Sequence, residues 1–228
     1  MTAQAKVERE SSFTMQRRRS LECEAAMASL LSALVRTEPN EAWLERLASG
    51  KVFESVPYAG DDEEVACGLQ LLSRWAQGWE ASEDAACADA LYADHMALFV
   101  GPGAPLASPW ESVQMHGDEA LVFQRETLDV RARYREFGLQ VERLYHEPDD
   151  HIGYEIEFVA VLARAEADAL AKGDAAEASR AAAAKAGFLE DHLVRWAAQW
   201  ADSVLDHAKT DFYRGIAHLV KGFVRAAV

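Results

Sequence analysis

A chain of 228 residues, 50% of them hydrophobic, can bury about 70% of the surface its unfolded form exposes, so its stability needs no cross-links. Its 38 acidic against 23 basic residues give a formal net charge of −15, which repels phosphate backbones, argues against nucleic-acid binding and favours a basic or neutral partner. The three cysteines, Cys23, Cys67 and Cys87, lie far apart without a CxxC; they fit a reducing cytoplasm and are expected as small buried apolar residues.

Residues 1–16 read as a flexible arm ahead of one all-helical domain over 17–228. Arg17, Arg18 and Arg19 do not make an export leader. Glu22 and Glu24 follow them, and the longest uncharged run there, Ala25 to Val35, is too short to span a bilayer, so no membrane insertion is expected. From Arg17 to Glu38, Leu21, Met27, Leu30, Leu31, Leu34 and Val35 recur at helical spacing until Pro39 stops the run. Asn40 is placed to cap a short second helix through Leu47, and 52–61, with Pro57 and Gly60, reads as loop. Acids from Asp61 open a third helix running to Trp79, its inner face carrying Val65, Leu69, Leu72 and Trp75 or Trp79. Ser82 caps a fourth, whose stripe of Ala86, Leu91, Met96, Leu98 and Phe99 runs into a Gly-Pro loop.

That loop, Leu98 to Ser112, holds Pro102, Pro105, Pro109, Gly101 and Gly103, so no regular helix runs through it. Trp110 is either plugged into the core or lines an apolar groove. A fifth helix is expected from Asp118 and Glu119 through Val122, Leu128, Val130 and Tyr134, with Gly138 at its end. Pro148 suits the first position of a sixth, putting Asp149, Asp150 and His151 in its first turn, followed by Ile152, Ile156, Val159 and Leu162 as far as Gly173. A seventh starts at Asp174, with Phe188, His192, Trp196, Trp200 and Val204 on one face, expected as core. The last starts at Thr210, with Phe212, Ile216, Leu219, Val220 and Phe223 turned inward. No alternating strand pattern and no repeat appears, so the fold class is all-α, a helical bundle with long irregular connections.

Two stretches carry more than helical propensity: the Gly-Pro-Trp loop and Glu147–His151, EPDDH. If the two face each other, a carboxylate and an imidazole stand at the mouth of an apolar pocket, which suits a peptide with an Arg followed by apolar residues. The seven histidines show no HExxH and no i, i+4 pair, and there is no P-loop, GxGxxG or GxSxG; no metal, cofactor or catalytic residue is expected.

Tyr92, Leu98-Phe99 running into GPG, Pro109-Trp110-Glu111-Ser112, EPDDH with Gly153 and Glu155, and the C-terminal Phe188-Leu189, His192-Leu193, Trp196 and Phe212-Tyr213-Arg214 together resemble the TorD/DmsD family of redox-enzyme maturation chaperones over residues 20–225. The resemblance implies a cytoplasmic, non-enzymatic protein, monomer or domain-swapped dimer. It would bind the twin-arginine signal peptide and apoprotein of a molybdopterin oxidoreductase, delaying export until cofactor insertion. Carried over position by position, it implies Asp150 and His151 as the signal-binding pair, flanked by Glu147 and Pro148. The hydrophobic groove would be Pro109, Trp110 and Leu98 to Pro102, including Phe99 and Gly101, with Trp75 and Tyr92 lining it. Position 108 is Ser108, where some relatives have a second proline. A non-enzymatic adaptor for a folded partner and a nucleotide-binding switch are the alternatives.

Overall fold

The computed structural model describes residues 3–56, 58–80, 86–117, 123–142, 144 and 147–228, the side chains of 3–11, 80 and 86 excepted. Its helices are α1 (Ala3–Arg36), α2 (Glu41–Ser49), α3 (Glu63–Glu80), α4 (Ala86–His95), α5 (Glu111–His116), α6 (Arg125–Glu136), α7 (Ile152–Lys172), α8 (Ala175–Phe188), α9 (Val194–His207) and α10 (Asp211–Ala227). A π turn, Met96–Val100, prolongs α4, and a second, Leu189–Leu193, joins α8 to α9 without leaving helical backbone. Among the described residues there is no strand ladder, only one isolated bridge between Trp110 and His151.

Two helix groups make the body. α7 packs between α1 and α8, while α10 packs against α3 and α9, and α1 touches α10. The continuous α8–α9 rod therefore passes from one group to the other, with the π turn at the crossing. α7 is buried on most sides, with Ile152, Ile156, Val159, Ala160, Leu162 and Ala163 all at 0% exposure. Trp196, Trp200, Phe212 and Phe223 fill the second group, as their spacing predicts, and buried Lys185 ties α8 to Glu24 of α1 at 2.6 Å.

Stops and caps follow the sequence closely. Asn40 accepts from the Trp43 N–H at 3.1 Å, Asp174 from that of Glu177 at 3.0 Å, and Gly138 and Gly173 end α6 and α7 at φ of 70° and 74°. Several boundaries differ. The α1 backbone is already helical at Ala3, because residues 3–16 contain no breaker although they lack an apolar stripe. The acids at 61 and 62 precede α3, with Asp62 capping the Glu64 N–H at 2.9 Å. Residues 111–116, of which Glu111 and Ser112 were expected in the loop, form α5, and the expected fifth helix is α6, beginning at Arg125; Asp118, Glu119 and Val122 lie outside the described residues, as does Ser82. Leu128, expected inside, is 59% exposed, because α6 buries the face of Thr127, Val130, Arg131 and Tyr134 instead. Cys23, Cys67 and Cys87 are only half-buried, not core as expected.

The α3–α10 contact depends on glycine. A Cβ on Gly68 would lie 2.7 Å from the Gly215 carbonyl oxygen and 2.8 Å from Leu219, and one on Gly215 would lie 2.6 Å from Leu72. Because backbone blocks the first of these, Gly68→Ala is expected to lower stability by about 1–3 kcal/mol, read as a shift in the urea midpoint; an unshifted midpoint would show that the helices can separate freely.

Candidate functional site

The Gly-Pro loop doubles back on its own helix. Leu106 donates its N–H to the Ala97 carbonyl at 3.2 Å and Ala107 to that of Leu98 at 2.8 Å, with Gly101 at φ 68° making the reversal. Leu98 and Phe99 point inward, at 0% and 6% exposure; Phe99 stacks on Trp200 with centroids 6.0 Å apart, and the Trp200 indole donates to the Ala107 carbonyl at 3.3 Å. The opposite side of the loop shows Val100 and Leu106, 49% and 48% exposed, and Tyr92 on α4 is 45% exposed. Pro102 is exposed and Gly101 half-buried.

The loop then locks onto the EPDDH turn. Ile152 donates to the Pro109 carbonyl at 2.8 Å and Glu111 to that of Asp150 at 2.9 Å. The expected groove between the two stretches is thus closed at this point by backbone bonds. Trp110, half-buried, meets the His151 ring edge-on at 6.1 Å; His151 meets Tyr154 at 5.8 Å, and the Arg36 guanidinium lies 4.0 Å over Tyr154. Beside this row a cavity of about 200 Å³ is lined by Tyr134, Leu139, Val141, Tyr154 and Phe158, among others.

The turn precedes α7 rather than forming its first turn, because each of its polar side chains has a partner elsewhere. Asp149, fully buried, takes Arg131 Nε at 3.1 Å and Nη2 at 2.6 Å. Asp150, also at 0% exposure, accepts the Ser112 N–H at 2.9 Å and the Thr127 hydroxyl at 2.7 Å. It therefore caps α5 and ties in α6, helices to which it does not belong. His151 is the cap of α7, its Nδ1 accepting the Gly153 N–H at 3.0 Å, so Nε2 carries the ring proton. Burial, then the charges of Arg36 and His95, push its pKa down to about 3, so the imidazole is neutral. Glu147 is half-buried and accepts from the Tyr154 hydroxyl at 3.0 Å.

Tyr92, Gly101, Pro102, Trp110, Glu147 and His151 thus keep some surface, whereas Leu98, Phe99, Pro109, Pro148 and Asp150 are buried beneath it. Trp75 is placed apart, packed against Phe53, Trp79 and Phe212. Sequence reading included Val100 only within the segment Leu98 to Pro102, and missed the exposed Leu106 and the supporting Thr127, Arg131 and Glu111. Thr127 and Arg131, spaced i, i+4 on the same face as Val130 and Tyr134, were the available signal. Among the described residues no His, Cys, Asp or Glu group could hold a metal, and no helix is long and apolar enough to cross a membrane.

Two outcomes follow from these pairs. Arg131→Met leaves Asp149 charged and buried, and is expected to cost about 3–5 kcal/mol in chemical denaturation; a loss under about 1 kcal/mol would show that Asp149 is not held as an ion. For His151 the folded pKa lies below the unfolded 6.5, so its stabilisation is complete above about pH 6.5 and is lost as pH falls toward about 3. The stability difference between the wild type and His151→Asn is expected to shrink through that window, and a constant difference would mean that the imidazole is not a neutral cap.

Compared with known proteins, residues 59–202 match the nitrate reductase delta subunit family. A Tat proofreading chaperone DmsD of Salmonella typhi is 29% identical over 176 residues, 72% of this chain and 79% of the relative. A chaperone protein TorD of Vibrio cholerae serotype O1 is 25% identical over 195 residues, 86% of each chain. A probable Tat proofreading chaperone DmsD of Haemophilus influenzae is 25% identical over 202 residues, 83% of this chain and 82% of the relative.

Proposed function

This chain belongs to the TorD/DmsD family of redox-enzyme maturation chaperones, which are not enzymes, and on that premise we propose that it binds the twin-arginine signal peptide of a molybdopterin oxidoreductase. Binding takes place in the cytoplasm, extends to the apoprotein and delays export until the cofactor is inserted. The observation that carries this reading is the apolar surface offered by the Gly-Pro loop. Val100 and Leu106 stand about half exposed on a segment held by backbone bonds, continuous in sequence with Trp110 and bridged to His151. Apolar side chains kept in water on a stiff loop cost free energy that a partner's burial returns.

The leader lies across Val100, Leu106, Tyr92 and Trp110 with its apolar part, and its arginines meet acids beyond the Trp110–His151 bridge. Glu147 is the nearest of the EPDDH acids with surface of its own. Asp150 acts from beneath: with both oxygens engaged, it fixes the position of Trp110 and His151 rather than receiving an arginine. Gly101 and Pro102 shape the loop, and Leu98, Phe99, Pro109 and Pro148 support it. The net charge of −15 favours a basic leader. The cavity beside Tyr154 is large enough for one apolar side chain of the same peptide.

Calorimetric titration with the leader of a molybdoenzyme encoded near the gene tests this directly. Affinity in the micromolar range, ~8 kcal/mol, is expected, weakening when both leader arginines are replaced. Val100→Asp with Leu106→Asp is expected to weaken binding at least tenfold, about 1.4 kcal/mol, with little change in thermal midpoint because both side chains already face water. Equal affinity of the wild type and this double variant would overturn the placement. Binding of the apoprotein with indifference to any isolated leader would leave an adaptor for the folded partner.

A further inference from the structure

We infer that Glu155 is a positioning residue for the Trp110 surface: it holds a proton shared with Glu111 and so locks the start of α5 onto α7. That Trp110 meets a leader is taken from the proposed function; the shared proton is not.

Glu111 is the first residue of α5 and Glu155 lies in the first turn of α7, and both are at 0% exposure. One oxygen of each has a clear partner. Glu111 Oε2 pairs with His192 Nδ1 at 2.7 Å, and Glu155 Oε2 accepts the Trp196 indole N–H at 3.2 Å. The remaining two, Glu111 Oε1 and Glu155 Oε1, have no donor, although the two side chains are in hydrogen-bonding contact. Two ionised carboxyls in contact in a buried interior repel each other strongly, whereas a single proton between them satisfies both orphaned oxygens. Around the pair stand Asp149 and Asp150 in the turn, Asp129, Arg131 and Tyr134 on α6, and His192 in the π turn. Arg131 is already bound to Asp149, and His192 Nε2 lies 3.1 Å from Asp129 out of line for a hydrogen bond.

The proton resides on Glu155. Burial first, then the charges of Glu111 and Asp150, raise its pKa well above the ordinary carboxylate value. Glu155 donates it to Glu111, whose other oxygen is engaged by the His192 ring. Since Trp110 immediately precedes Glu111, and the Glu111 N–H is bonded to the Asp150 carbonyl, this one proton lies next along the chain to the half-buried indole. Without it, two like charges face each other across the α5–α7 contact and push the Trp110 segment outward.

The sign of the pH dependence follows. An acid whose folded pKa is raised stabilises fully below its unfolded pKa, here 4.5, and that contribution is lost as pH rises through the folded value. Glutamine carries the donor permanently. Relative to Glu155→Gln, the wild type is expected to lose up to tenfold in its folding equilibrium constant per pH unit above about pH 4.5, until the folded group itself titrates.

The experiment is chemical denaturation of both proteins across about pH 5–9, with leader titrations in the same buffers. The expected result is a stability gap that widens with pH, together with leader affinity that falls at the alkaline end in the wild type and is independent of pH in Glu155→Gln. Glu155→Leu, which gives Glu111 no donor, is expected to bind at least tenfold more weakly throughout. A stability gap between wild type and Glu155→Gln that stays constant with pH overturns the shared proton. A widening gap with no leader bound at any pH upholds the proton and counts instead against the leader-binding reading.

Discussion

The buried Asp150 carboxylate is the interaction on which the exposed face of this protein depends. One oxygen takes the backbone N–H of Ser112, the other the hydroxyl of Thr127, and its own carbonyl takes the N–H of Glu111. Three segments distant in sequence, the start of α5, the start of α6 and the turn before α7, are thereby fixed to one residue. An aspartate at 0% exposure is tolerable only because each of its oxygens is satisfied, and that requirement fixes the three segments as firmly as packing does. Asp149, next to it, is paired through one oxygen with Arg131.

The same arrangement explains why the loop is both stiff and apolar outside. Its inner residues, Leu98, Phe99 and Ala107, belong to the core around Trp200, so the loop cannot turn Val100 and Leu106 inward without giving up that packing. A surface fixed in this way loses little conformational freedom on binding, which favours affinity, while its small area limits affinity to a range from which a client can be released.

Beneath that face lies an unusually polar interior for a helical bundle. Glu111, Glu155, His192 and the Trp196 indole form a row across α5, α7 and the π turn joining α8 to α9. The π turn places His192 where the continuous rod crosses between the two helix groups, so polar contacts enter the junction beside the buried Leu189 and Leu193. Lys185 with Glu24 plays the equivalent part between α8 and α1. Buried pairs of this kind add little net stability compared with apolar substitutes, but breaking one is costly, and each helix is thus held to one register.

Much of this was legible in the residues alone. Apolar spacing of three and four determined the core helices, Pro39, Gly138 and Gly173 marked ends, and the joint occurrence of the Gly-Pro-Trp loop and EPDDH pointed to the family, because these signals are local and depend on backbone geometry or on motif identity. Direction and partnership were not legible. Leu98 and Phe99 face inward while Val100 and Leu106 face out because the loop folds back on the π turn, a choice made by contact with Trp200. α5, only six residues long, is capped by a carboxylate 38 positions away, and no local pattern could announce it. Asp150 reads in sequence as an exposed acid at a helix start. Only the tertiary structure, by bringing Ser112 and Thr127 to it, made it a buried support, since a carboxylate leaves water only where donors already wait for it.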